Sequence, residues 1–81
     1  MKLDVQLFAR ARDLAESPQV TIDLDEPASV SDVRTALASA VPELAPLADR
    51  LLIAVGTDYA DDGTPVTHSD LVACFPPVSG G

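Results

Sequence analysis

The chain has 81 residues and a formal net charge of −8, from 13 acidic against 5 basic side chains. The five cations, Lys2, Arg10, Arg12, Arg34 and Arg50, are too few for a phosphate-binding stripe, so a nucleic-acid partner is excluded. A hydrophobic content of 47% argues against disorder, no apolar run approaches the ~20 residues of a membrane span, and a single cysteine excludes an internal disulfide.

The first stretch, KLDVQLFA, alternates. Leu3, Val5 and Leu7 point one way and Lys2, Asp4 and Gln6 the other, which predicts a strand with one buried face. Asp4 and Gln6 also interrupt any apolar leader, so no signal peptide is expected. Phe8 falls on the polar side. RARDLAES predicts a short helical turn, ended by Ser17-Pro18. In QVTIDL, Val20, Ile22 and Leu24 alternate with Gln19, Thr21 and Asp23, a second strand pairing with the first. Next comes a helix. Ser29 suits its N-cap and Asp32 the acidic position of a capping box, while Val30, Val33, Leu37 and Val41 recur at helical spacing. Pro42 ends it by disfavouring helical geometry at Val41. PELAPLADR predicts a turn or 3₁₀ piece with Leu44 and Leu47 inward. LLIAVG is a third strand, apolar on both faces. The polar stretch from Thr57 to Asp70 turns at Asp62-Gly63 and contains a very short strand at Val66. LVACF is the last strand, stopped by Pro76 and Pro77, which lack N–H donors.

Two strands precede the one good helix, so the order is α+β and not an alternating α/β pattern. One sheet with one helix across one face satisfies every apolar stripe. The opposite face should be mostly polar, yet it inherits Phe8, Leu52, Ala54 and one side of LVACF. An apolar patch on an open sheet face is a candidate docking surface. The favoured phase of the last strand buries Val72 and Cys74 and leaves Phe75 outside; the opposite phase buries Phe75.

No side chain stands out as a reactive centre. One cysteine and one histidine cannot build a zinc site. Cys74 reads as a small buried hydrophobe and His68 as a surface loop residue. The DYADDGTPVTHS segment fails as a calcium loop, with Ala60 and Ser69 where carboxylates are needed. No Gly-rich phosphate loop is present, so neither a bound cofactor nor a metal is expected. The tail FPPVSGG differs in kind. The final eleven residues carry no side-chain charge, Pro76 and Pro77 favour extended backbone, and two glycines make a slender tip. From Pro76 the tail can reach about 20 Å, enough to thread a narrow channel in another protein. Acidity suits a basic protein partner, or it serves solubility alone.

Strand–strand–helix–strand–strand with a Gly-Gly end resembles the ubiquitin-like β-grasp fold. The ending Phe75-Pro76-Pro77-Val78-Ser79-Gly80-Gly81, with LFARARDLA at residues 7 to 15, is similar to the small, sulfur-carrying subunits of molybdopterin synthase. The resemblance implies an α+β β-grasp domain over residues 1–75, a mixed sheet of four to five strands with one main helix on one face, and an extended tail over 76–81, in a protein that is not catalytic alone; a small domain without disulfide staples fits a reducing cytoplasm. It implies an activating enzyme that uses ATP to adenylate the Gly81 carboxylate, and a sulfur donor that converts it to a thiocarboxylate. It implies a large catalytic synthase subunit, in a heterotetramer, where the sulfur passes to cyclic pyranopterin monophosphate. Gly81 then carries the chemistry. Phe8, Leu52, Phe75, Pro76, Pro77, Val78, Ser79 and Gly80 contact the partners. Two alternatives share the fold: a carrier for thiamine or cysteine synthesis, and a ubiquitin-like modifier or adaptor.

Overall fold

Alternation along β1 (Lys2–Leu7) gives the strand one dry face: Leu3, Val5 and Leu7 are buried while Lys2, Asp4 and Gln6 are exposed. The computed structural model describes residues 1–77. Phe8 stays extended and leads into α1 (Ala9–Ala15), which buries Ala11. Glu16 closes this helix in the left-handed region, at φ 55°, and the N–H groups of Glu16 and Ser17 reach the carbonyls of Asp13 and Arg12. Glycine fits that conformation without a Cβ clash. Glu16→Gly should relieve about 1 kcal/mol of steric cost. Greater freedom of the unfolded chain offsets part of this, leaving a gain of about 0.5 kcal/mol that chemical denaturation can measure.

β2 (Gln19–Asp23) pairs antiparallel with β1, from Lys2 opposite Asp23 to Gln6 opposite Gln19. Their outer face is polar. The Thr21 hydroxyl donates to Asp4, the Gln6 amide donates to Gln19, and Lys2 lies 3.5 Å from Asp23. β3 (Ala28–Ser29) is two residues long and runs directly into α2 (Val30–Ala40). The capping box forms as the sequence predicts, with the Ser29 N–H donating to the Asp32 carboxylate at 2.9 Å. Val30, Val33 and Leu37 are fully buried, and α2 is capped at Val41, ahead of Pro42. A 3₁₀ segment (Pro42–Arg50) follows and seats Leu44 in the core, with Leu47 packed against it. The remaining strands are β4 (Leu52–Val55), β5 (Asp58–Tyr59), β6 (Pro65–Val66) and β7 (Val72–Phe75).

The main sheet has the order β2-β1-β7-β4-β5; β1 and β7 run parallel and every other neighbouring pair runs antiparallel. A second sheet pairs β3 with β6. α2 lies over one face, so the core forms between it, the 3₁₀ segment and the inward residues of β1, β4 and β7. This is the one-helix-covered sheet that the apolar stripes predict, with the mixed strand directions that the β-grasp resemblance implies. β3 and β5 are additions to it. Two residues are too few to show alternation, so neither strand announces itself.

Arg34 ties the helical layer together. Its guanidinium donates to the carbonyls of Ala48 and Leu51, both at 2.6 Å, and lies 3.0 Å from an Asp62 oxygen. The same loop caps α2, because the Val30 and Ser31 N–H groups donate to the carbonyls of Thr64 and Asp62 at 2.9 Å. Among the described residues no helix is long and apolar enough to cross a membrane.

Candidate functional site

The register of the sheet decides what its uncovered face presents. Val72 and Cys74 are buried under the helix, so Leu71, Ala73 and Phe75 turn outward. Leu52 lies directly opposite Phe75. Phe8 reaches the same row because its N–H donates to the Cys74 carbonyl at 3.2 Å. The Phe8 and Phe75 rings stack with centroids 4.8 Å apart and planes 8° apart. Tyr59 meets Phe75 edge-on at 6.0 Å. The chain has two phenylalanines, one tyrosine and no tryptophan, so every aromatic ring it owns meets here. Phe8 is 44% and Tyr59 68% exposed, which a soluble surface does not require.

Beside the Phe8–Phe75 stack runs a cross-strand row with two alanines at its centre. Gln6, Ala73, Ala54 and Tyr59 are successive neighbours across four strands. The two alanines leave a shallow hollow of ≈ 270 Å³ flanked by Phe8, Tyr59 and Phe75. The polar half of the sheet, β1 and β2, adjoins it. The uncovered face is thus divided between a hydrogen-bonded polar half and an apolar half over β7, β4 and β5.

Sequence reasoning placed Phe8, Leu52, Ala54 and Phe75 on this face, and the structure brings them together. It passed over Tyr59, which stands in a polar run. The signal was the two-residue connection Gly56-Thr57, which folds Asp58 back onto Val55 and Tyr59 onto Ala54. Gly56 has φ +67°, a conformation that side chains rarely adopt, and its N–H donates to the Leu71 carbonyl at 2.8 Å. Pro76 and Pro77 leave β7 half-buried beside the aromatic cluster. Val78, Ser79, Gly80 and Gly81 lie outside the described residues.

The remaining candidates are structural. His68 is exposed in the loop after β6. Cys74 is fully buried, and burial pushes its thiol up from 9.0 to about 11 against a smaller opposing pull from Arg34. A raised thiol pKa contributes stability that is complete below pH 9 and lost as the pH rises towards 11. Iodoacetamide at pH 8 should therefore leave Cys74 unmodified in the folded chain and label it promptly in denaturant, as intact-mass measurement would show.

The ThiS family model matches residues 5–81. A molybdopterin synthase sulfur carrier subunit from Arabidopsis thaliana is 31% identical over 81 residues, covering all of this chain and 84% of that protein. Small archaeal modifier protein 1 from Haloferax volcanii is 33% identical over 87 residues, covering 98% of this chain and all of the relative. A crystal structure of that modifier superposes with a TM-score of 0.84 at 31% identity over the whole of both chains. A putative molybdopterin converting factor subunit 1 from Pyrococcus furiosus gives a TM-score of 0.84 at 29% identity, covering 96% of this chain and 99% of that one. A single helix across a mixed sheet, an aromatic outer face at the foot of the tail and a family match that extends through Gly81 agree: the chain belongs to the ThiS family and is a ubiquitin-like β-grasp protein of the sulfur-carrier type.

Proposed function

We propose that this chain carries sulfur on its Gly81 carboxylate for molybdopterin synthesis. The observation that carries the reading is the placement of the aromatic cluster at the root of the tail: Phe75 ends β7 within the cluster, and Pro76-Pro77 continue from it. A partner that grips this face holds the tail at a fixed starting point. A carboxylate is a poor electrophile. In the proposed cycle, an oxygen of Gly81 attacks the α-phosphate of ATP in an activating enzyme, releasing pyrophosphate and forming an acyl-adenylate. Sulfide-level sulfur from a donor then attacks the acyl carbon and expels AMP, leaving a thiocarboxylate. That ionised sulfur is the nucleophile that bonds to a carbon of cyclic pyranopterin monophosphate, displacing an oxygen, in the large synthase subunit; water then cleaves the acyl carbon–sulfur bond and returns Gly81 as a carboxylate, and two such deliveries supply the two sulfurs of the dithiolene. The cations that steady phosphate and substrate come from the partners, because this chain has only five bases.

Within the family, the Phe75-Pro76-Pro77 neck and the Arabidopsis relative favour the molybdopterin pathway over thiamine or cysteine synthesis. The Haloferax relative favours a second reading, in which the activated Gly81 is passed to amino groups of other proteins. One incubation with activating enzyme, ATP and sulfur donor separates the two. The carrier reading expects the intact mass to rise by the difference between one sulfur and one oxygen. Reductant-resistant adducts on other proteins, with no thiocarboxylate formed, would support the modifier instead.

A further inference from the structure

A different face of the molecule, remote from the aromatic cluster, is also unpartnered. β2 is an edge strand of the main sheet, and its pairing with β1 fixes which of its backbone groups are free. The Leu7 N–H donates to the Pro18 carbonyl and the Leu24 N–H to the Met1 carbonyl. In an antiparallel ladder the bonded pairs alternate, so residues 18, 20, 22 and 24 turn their backbone groups towards β1. Gln19, Thr21 and Asp23 turn theirs to the open edge. Gln19 is already closed off, since its N–H and its carbonyl are both hydrogen-bonded to the Ser17 hydroxyl, at 3.3 and 2.7 Å. Thr21 and Asp23 keep an N–H and a carbonyl each without a partner among the described residues.

Alongside that edge, two adjoining hollows of ≈ 330 and ≈ 260 Å³ separate β2 from α2, sharing Asp23, Ala36 and Ser39 in their walls. The α2 wall runs from Asp32 to Ala40 through Ala36 and Ser39. Eight helical residues rise about 12 Å. That is the length of roughly four extended residues. The floor is small and uncharged at the Ala40 end. At the other end stand Asp25, which has no ion pair among the described residues, and Asp32, which commits only one carboxylate oxygen to its cap. Asp23, between them, is already within reach of Lys2 and the amino terminus.

We propose that the β2 edge and the adjoining groove bind an extended peptide segment as an added sixth strand. The occupant has small apolar side chains facing Ala36 and Ser39, and a basic side chain at the Asp25–Asp32 end. Backbone bonds to Thr21 and Asp23 provide the attachment, and alternate side chains read the groove. A second copy of this chain is the wrong occupant, because pairing two edges of a molecule with net charge −8 would juxtapose like charges.

The test uses the full chain with a synthetic probe, acetyl-Lys-Thr-Val-Thr-Val-Thr-amide, and the reversed sequence, so that either strand direction is sampled. Saturating probe should shift the amide resonances of Thr21, Asp23, Ala36 and Ser39 and slow hydrogen exchange at Thr21 and Asp23 by about tenfold or more. Glutamate in place of the lysine should weaken binding by about tenfold or more. N-methylation separates strand addition from loose contact. Methylating the nitrogens on one edge of the probe should abolish binding, and methylating the alternate set should not. Thr21→Pro, which removes an outward N–H, should also abolish it. Shifts confined to Phe8, Tyr59 and Phe75, equal binding of the two methylated probes, or self-association through β2 in place of probe binding would each overturn the proposal.

Discussion

Deleting Gly81 should abolish sulfur loading completely while leaving the thermal unfolding midpoint unchanged. The reaction proposed here uses one group, the terminal carboxylate, and an activating enzyme must bring that group in line with the α-phosphate of ATP. Removing one residue draws the carboxylate back by about 3.5 Å. It also leaves Gly80 where Gly81 should be and Ser79 where a residue without a Cβ should pass. A displacement of about 1 Å from the reacting geometry already costs about a hundredfold in rate, so a full residue leaves no measurable turnover. Among the described residues every core residue lies between Leu3 and Cys74, and a glycine brings no side chain to a core, so the midpoint is expected to stay in place. Mass spectrometry after incubation with activating enzyme, ATP and sulfur donor reads the first half of the expectation, and differential scanning calorimetry reads the second. Full sulfur loading of the shortened chain would end the carrier reading.

Phe75→Ala should weaken binding to the large synthase subunit severely and the fold only mildly. Phe75 is the centre of the cluster: it stacks on Phe8, meets Tyr59 edge-on and lies opposite Leu52. Its loss removes both ring contacts and deepens the hollow over Ala54 and Ala73. A buried aromatic anchor contributes about 2–4 kcal/mol to an interface. The dissociation constant should therefore rise by about 30-fold or more. Within the isolated chain the ring is half-buried and outside the main core, so the loss is that of its aromatic contacts, about 1–2 kcal/mol. Calorimetric titration against the large subunit and urea denaturation of the free chain distinguish the two costs. Tyr59→Ala belongs in the same series, because Tyr59 is the most exposed of the three rings and contributes least to the fold.

Much of this architecture could be read along the chain because it is local. Leu3-Val5-Leu7 and Val20-Ile22-Leu24 announce strands by alternation, and Ser29 with Asp32 announces the start of α2 three residues ahead. Arg34 could not be read in this way. Its partners Ala48, Leu51 and Asp62 lie 14, 17 and 28 residues away, and they meet it only after the 3₁₀ segment has packed on α2. The phase of β7 was a choice between two readings until the sheet register set Cys74 beside the buried Leu7 and Ile53. Tyr59 was hidden because β5 is two residues long and gets its orientation from a turn, not from its own pattern. The site was legible to the extent that large apolar residues sat where polar ones belonged. Phe8 and Leu52 broke the alternation on one side of a sheet, whereas a tyrosine among aspartates broke nothing.

The position of β7 has a mechanical consequence. The tail issues from the middle of the sheet, where β7 is held on one side by β1 in parallel and on the other by β4 in antiparallel register. In the proposed cycle, a force applied to the tail along the axis of β7 would shear two ladders of hydrogen bonds together. Peeling such a strand bond by bond, as happens at an edge pulled sideways, is not open to it. In the proposed cycle the domain would thus keep its fold through repeated rounds of loading on the tail.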